Sequence, residues 1–226
     1  MESDDEETPT PEQLKLPGGR RLKSKPPADR KWRSAETRNR LLNAALALFM
    51  KENYPRVSIE DIAKRAGLSR AAFYLHYSSK DEILIDFVRR SAAELDYYYR
   101  GFKPSEIPSK DRIREFIITS IDVRHRYRKL LALYFQAASL NTEIYRIFAL
   151  NRDRHIAVLG ENLSAFRDMG RGPEIERRRR AKAKLLIWQV EQMTTYEAFI
   201  PAAGDLEAEV DALTDAFDAF VHEYNA

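Results

Sequence analysis

The 226-residue chain contains no cysteine, which excludes a disulfide framework and thiolate metal sites. No uninterrupted apolar run approaches the roughly twenty residues needed to span a bilayer. The acidic amino terminus lacks the apolar stretch that marks a secretory leader, so the cytoplasm is the expected location and no membrane partner is expected. Catalytic signatures are missing too: there is no phosphate-cradling glycine loop, nucleophile elbow or His-Glu-x-x-His motif. The four histidines, His76, His125, His155 and His222, stand in unrelated contexts. The carboxylate pairs Glu60-Asp61 and Asp81-Glu82 sit at helix starts, where complementing the helix dipole explains them. An enzyme is therefore disfavoured, and no catalytic residue, metal or cofactor is expected. With only eight glycines and no strand-like run after Lys80, the expected class is all-α with about nine helices.

Charge is uneven along the chain although the formal net is +3. Residues 1–12 hold six acids and no base, for −6, whereas residues 13–33 hold eight Lys or Arg against Asp29 alone, for +7. Five prolines by Pro27 and no apolar period predict an arm over residues 1–33 that is disordered when free through about residue 30. Arg20 and Arg21 in that arm either follow DNA phosphates or a minor groove, or belong to a solvated linker. The acidic tip is expected to compete with DNA for the basic stretch.

Ser58 to Leu84 reads as two short helices joined by a tight turn and followed directly by a third. Ser58 caps the first, Asp61 lies in its first turn, and Ile59, Ile62, Ala63 and Ala66 follow at helical spacing. Gly67 stops it. Ser69 opens the second helix, Arg70 to His76, in which Phe73 and Tyr77, with Leu68, pin the helix inward. Arg70, Ala71 and Tyr74 are left to face outward, and a first turn of Arg and small residues suits a major groove, where Arg pairs with guanine O6 and N7.

These residues resemble the amino-terminal domain of TetR-type transcriptional regulators over about residues 34–84. The likeness is carried by Thr37, Arg38, Leu42, Ala45, Leu48 and Phe49, the Ser58-Ile59-x-x-Ile62-Ala63 segment, the Ala66-Gly67-Leu68-Ser69 turn, Phe73-Tyr74-x-His76-Tyr77 and Lys80-Asp81-Glu82-x-Leu84. The resemblance implies that the helix opening at Ser69 docks in a major groove. Arg70 and Ala71 would then face base edges, and Ser58, Ser69, Tyr74, His76 and Lys80 would meet phosphates. Ala72 stands where the family often carries a base-reading residue, so specificity is expected to lean on Arg70 and on DNA shape. Packing at the helical seam is the alternative for Tyr74 and His76. The implied organisation is a helix-turn-helix head at 34–80 and a helical effector-binding and dimerisation body at 81–226.

Beyond Lys80, helices are expected at about 81–99, 109–124, 127–138, 141–169, 173–200 and 205–224, broken at 101–108, 170–173 and 201–204. A shift of the 81–99 helix, with Ile83, Phe87, Ala92 and Leu95 in contact-making positions, would move the head. Family members dimerise through a pair equivalent to the last two helices. Here Leu185, Trp188, Gln192, Tyr196 and Phe199 form one stripe, and Val210, Leu213, Phe217, Phe220 and Val221 another. The Arg177–Arg180 block with Lys182 and Lys184 either complements the acidic 201–226 segment across a dimer or is a solvated face. Pocket candidates for a small hydrophobic, acyl or aromatic effector are Phe116, Ser120, Tyr127, Leu131, Tyr134, Phe135, Phe148, Phe166, Trp188, Gln189 and Met193. A CoA thioester would also suit the charge of Arg167, Arg171 and the Arg177 block. The expected function is a ligand-responsive repressor that binds a palindromic double-stranded operator as a homodimer and is released by its effector. The alternative is an effector-independent, sequence-tolerant DNA-organising dimer.

Overall fold

The computed structural model describes residues 30–104, 106–168, 170–200 and 204–225. Arg20 and Arg21 of the amino-terminal arm lie outside them. Nine α-helices and no strand occur among the described residues: α1 Arg30–Lys51, α2 Ile59–Arg65, α3 Arg70–Tyr74, α4 Lys80–Tyr99, α5 Lys110–Arg126, α6 Arg128–Ala138, α7 Thr142–Asn162, α8 Pro173–Phe199 and α9 Leu206–Asn225. Short 3-10 turns stand at Tyr54–Arg56 and Ser164–Phe166. No described helix is long and apolar enough to cross a membrane. The chain divides into two compact units, residues 1–94 with 139–141, and residues 95–138 with 142–226, so that the boundary falls within α4.

In the first unit α2, α3 and α4 each open on a serine cap. Ser58 and Asp61 make a reciprocal box: the Asp61 amide donates to Ser58 Oγ at 3.1 Å and the Ser58 amide donates to Asp61 Oδ2 at 3.1 Å, which satisfies two otherwise orphaned donors. Ser69 Oγ accepts the Ala72 amide at 3.1 Å, and Ser79 Oγ accepts that of Glu82 at 3.1 Å. Gly67, at φ +64°, takes the left-handed turn between α2 and α3, a conformation that a side chain disfavours. Leu41, Ala45, Phe49, Ile62, Phe73, Tyr77, Ile83 and Leu84 are buried together on the inner faces. Leu68 is only half-buried. The side chains of Ala92 and Leu95, expected on the packing face of α4, lie outside the described residues.

In the second unit α5 packs against α8 and α9, and aromatic rings fill the centre. Phe217 stands 5.9 Å from Phe102, 5.9 Å from Phe116 and 5.4 Å from Phe166, ring centre to ring centre. The α7 helix ends at Asn162 rather than continuing to about 169. After it, Leu163 is extended and the Ser164–Phe166 turn folds back on the helix end. Gly160 permits that approach, because a Cβ there would meet the Phe166 carbonyl oxygen at 3.3 Å. The turn thereby inserts Ala165 and Phe166 into the core.

Candidate nucleic-acid interface

The first unit presents an exposed edge built from α2 and α3. Phe73 and Tyr77 are fully buried, so the intervening side chains are forced outward: Tyr74 is exposed, Leu75 is 82% exposed and His76 is half-exposed. At the start of α3, Ser69, Arg70 and Ala71 are exposed and Ala72 is half-buried. Ser58, half-buried, opens α2 on the same head. The Arg70 guanidinium is ion-paired with Glu60, donates to the Tyr74 hydroxyl at 3.3 Å, and lies 5.7 Å from the Tyr74 ring centre. Tyr74 first, then Glu60, hold this guanidinium protonated even more firmly than usual. Leu75 was not among the sequence candidates. Its signal was available, since it lies between the inward-facing Phe73 and Tyr77, just past the end of α3.

Lys80 is placed differently from its expected phosphate contact. Its Nζ donates to the carbonyls of Tyr54 at 2.8 Å, Pro55 at 3.1 Å and Val57 at 2.9 Å, and sits 4.7 Å from the Tyr54 ring centre. An ammonium has three donors, and here each meets a carbonyl of the Tyr54–Val57 segment. Burial lowers its pKa, against the opposing charge of Asp81. Beneath the edge, Asp86 ties α1 to α4. It accepts from the Tyr77 hydroxyl at 2.7 Å, from Arg38 Nε at 3.1 Å and from Arg90 Nη2 at 2.9 Å. Burial would raise the Asp86 carboxyl, but these hydrogen bonds outweigh it and leave its pKa below the ordinary value. Burial and the same contact with Asp86 push the Tyr77 hydroxyl well up.

The body separates the other candidates into three groups. Phe116, Phe166 and Ser120 belong to its closed core, Ser120 Oγ donating to the Phe116 carbonyl at 2.8 Å. Met193 packs beside that core. Tyr134, Phe135 and Phe148 form a second aromatic group, with Phe148 at 5.8 Å from Tyr134 and 6.0 Å from Phe135; Tyr127 and Leu131, on the same stretch of chain, are half-buried. Trp188 and Gln189 lie instead on the outward side of α8 with Leu185, Gln192, Tyr196 and Phe199, all exposed. The α9 stripe assigned to a dimer contact is taken up by the body itself. Phe217, Phe220, Val210 and Val221 are buried, and Leu213 packs against them. A stripe at helical spacing reveals an apolar face but not the partner that covers it.

The Arg177 block is likewise engaged internally. Arg179 is buried against Glu176 at 2.7 Å, Arg177 pairs with Glu174 at 2.7 Å, and Arg180 pairs with Asp168 at 3.3 Å. A polar cluster that the sequence reading missed lies deeper. His155 is buried, stacked on Tyr99 at 4.0 Å, with Nδ1 3.3 Å from Glu191 Oε1, while Arg152 donates to Glu191 Oε2 at 2.8 Å. Burial would raise the Glu191 carboxyl, yet His155, Arg124 and Arg152 together hold it low. An ionised carboxylate only accepts, so His155 Nδ1 carries the proton. His155 Nε2 meets no hydrogen-bonding group of the described chain. Burial also pushes the Tyr99 hydroxyl up to about 12. The signal for this cluster was slight: Arg152 and His155 stand three residues apart on α7, a helix that also carries Glu143, Arg146, Asp153, Arg154 and Glu161.

Residues 41–87 match the family model of bacterial regulatory proteins of the tetR family. Among curated relatives, the chain is 28% identical over 134 residues to the transcriptional activator FasR of Mycolicibacterium smegmatis, covering 59% of this chain and 52% of that protein. It is 30% identical over 111 residues to the transcriptional regulator AcrR of Shigella flexneri, covering 46% and 51%, and 37% identical over 81 residues to the regulator YxbF of Bacillus subtilis, covering 35% and 21%. The chain thus spans between about a fifth and about half of the length of these relatives. The fold is shared with a tetR-family transcriptional regulator from Streptomyces coelicolor, at TM-score 0.58 and 18% identity over 84% of this chain and 88% of that one. It is also shared with the fatty acid degradation regulator FadR from Bacillus halodurans, at TM-score 0.55 and 17% identity over 87% and 97%. Residues 41–87, with the capped α2 and α3, thus carry the tetR-family domain of bacterial regulatory proteins, and the helical body that follows shares the fold of tetR-family regulators.

Proposed function

We propose that the protein is a transcriptional repressor that reads an operator with α3, as a homodimer, and is released by a small effector held in the body. The observation that carries the reading is the exposed start of α3, where Arg70 and Ala71 stand beside Tyr74 and Leu75 on a helix fixed from behind by buried Phe73 and Tyr77. Arg70 and Ala71 face base edges. Ser58, Ser69, Tyr74 and His76 meet phosphates and fix the register. The outward face of α8, with Leu185, Trp188, Tyr196 and Phe199, joins two copies, which sets two reading helices about one helical turn apart on DNA.

Effector response belongs to the body, where the cluster around Glu191 supplies polar groups within an apolar interior. An apolar or aromatic effector is favoured over a CoA thioester, because Arg177, Arg179 and Arg180 are already paired with acids. Selection of binding sites from a random duplex library tests the reading. The expected product is an inverted repeat, at which Arg70→Ala loses discrimination at one base pair per half-site. A library with no enriched sequence would favour the sequence-tolerant alternative and overturn the proposal.

A further inference from the structure

We infer that Glu60 sets the DNA specificity of the head by withholding Arg70 from phosphates and leaving it available to a base edge. The inference rests on α3 being the reading helix. Glu60 is the second residue of α2 and Arg70 the first of α3, ten positions on. Both are more than half exposed, with side-chain accessibilities of 54% and 60%. Their ion pair, with the Tyr74 hydroxyl as a second acceptor, lays the guanidinium along the surface of the head instead of extending it into solvent.

An exposed pair of this kind contributes little to folding. Its effect is on the choice of partner. A phosphate approaching Arg70 brings a second negative charge beside Glu60, and the two anions compete for one cation. A guanine edge offers two aligned acceptors, O6 and N7, without a formal charge. The guanidinium has five N–H donors, so Arg70 can read guanine while some of them remain on Glu60. The carboxylate therefore penalises the sequence-blind contact and spares the sequence-reading one.

Glu60→Gln keeps the shape of the side chain and removes the charge. Binding is measured for the full-length protein on a duplex carrying the site selected by the wild type, and on a scrambled duplex of equal length, between about 50 and 200 mM salt. On scrambled DNA the variant is expected to bind more tightly, on the order of fivefold per engaged subunit at the lowest salt. Its log–log salt slope steepens by about 0.9 per subunit as Arg70 takes up a phosphate. On the selected site, slope and affinity remain close to wild type, so the specificity ratio falls. In an Arg70→Ala background the same substitution leaves the slope on scrambled DNA unchanged.

Equal gains on both duplexes with equal slopes, or a slope change that persists without Arg70, would overturn the inference in favour of a general charge effect. Loss of preference for a single base pair would overturn it in favour of Glu60 itself accepting from a cytosine amino group. In both cases the wild type still prefers its selected site, and the assignment of α3 as the reading helix stands. A wild type that does not distinguish the two duplexes removes that assignment and the inference with it.

Discussion

Replacing Lys80 separates its observed placement from the phosphate contact that its position in the sequence suggests. In Lys80→Met the stem is kept and the ammonium removed, so the three carbonyls of Tyr54, Pro55 and Val57 lose their donor. A hydrogen bond from a charged group contributes about 1.5–3 kcal/mol when buried. The contacts to Tyr54 and Val57 are part-buried and that to Pro55 is exposed, so water recovers much of the loss. A net destabilisation of the head of about 2 kcal/mol is the reasoned value. Urea unfolding followed by far-UV circular dichroism, compared with the unsubstituted protein, measures it. DNA affinity measured well below the unfolding transition should change little, with an unaltered salt slope. The reasoning is refuted if the variant unfolds within about 0.5 kcal/mol of its parent while its salt slope on DNA falls by about 0.9 per head. That result would mean that Lys80 leaves its carbonyls for a phosphate.

Two further outcomes follow from the same structure. The pKa of Asp86 is depressed in the folded head and ordinary in the unfolded chain, so its contribution is fully present above the ordinary carboxylate range and is lost as pH falls through the depressed value. The urea midpoint should drop between about pH 7 and about pH 3, and Asp86→Asn should show a lower midpoint at neutral pH and a weaker dependence on acid. Leu185 is 60% exposed on the outward face of α8, so Leu185→Asp should leave thermal unfolding at high dilution nearly unchanged but shift the mass measured by light scattering from dimer to monomer. A monomeric parent would remove α8 as the interface.

The features readable in the sequence are those whose physical cause is local. Ser58 and Asp61, Ser69 and Ala72, and Ser79 and Glu82 are each three residues apart, so the caps of α2, α3 and α4 follow from residue type and spacing alone. Gly67 marks a left-handed turn because only the absence of a Cβ makes that φ inexpensive. The buried Phe73 and Tyr77, four apart on one face, likewise determine that Tyr74 and Leu75 point outward.

Tertiary structure decided the contacts that join distant parts of the chain. Lys80 finds its carbonyls 23 to 26 positions away, Asp86 finds Arg38 at 48, and His155 finds Glu191 at 36. No periodicity encodes such pairings. The stripes on α8 and α9 look alike in sequence, yet α9 turns Phe217 and Phe220 into its own core while α8 leaves Leu185 and Tyr196 in solvent. The inward fold of Ser164–Phe166, permitted by Gly160, supplies part of what α9 packs against. Sequence pattern states that a helix has an apolar face; which surface covers it is settled only when the rest of the chain has folded around it.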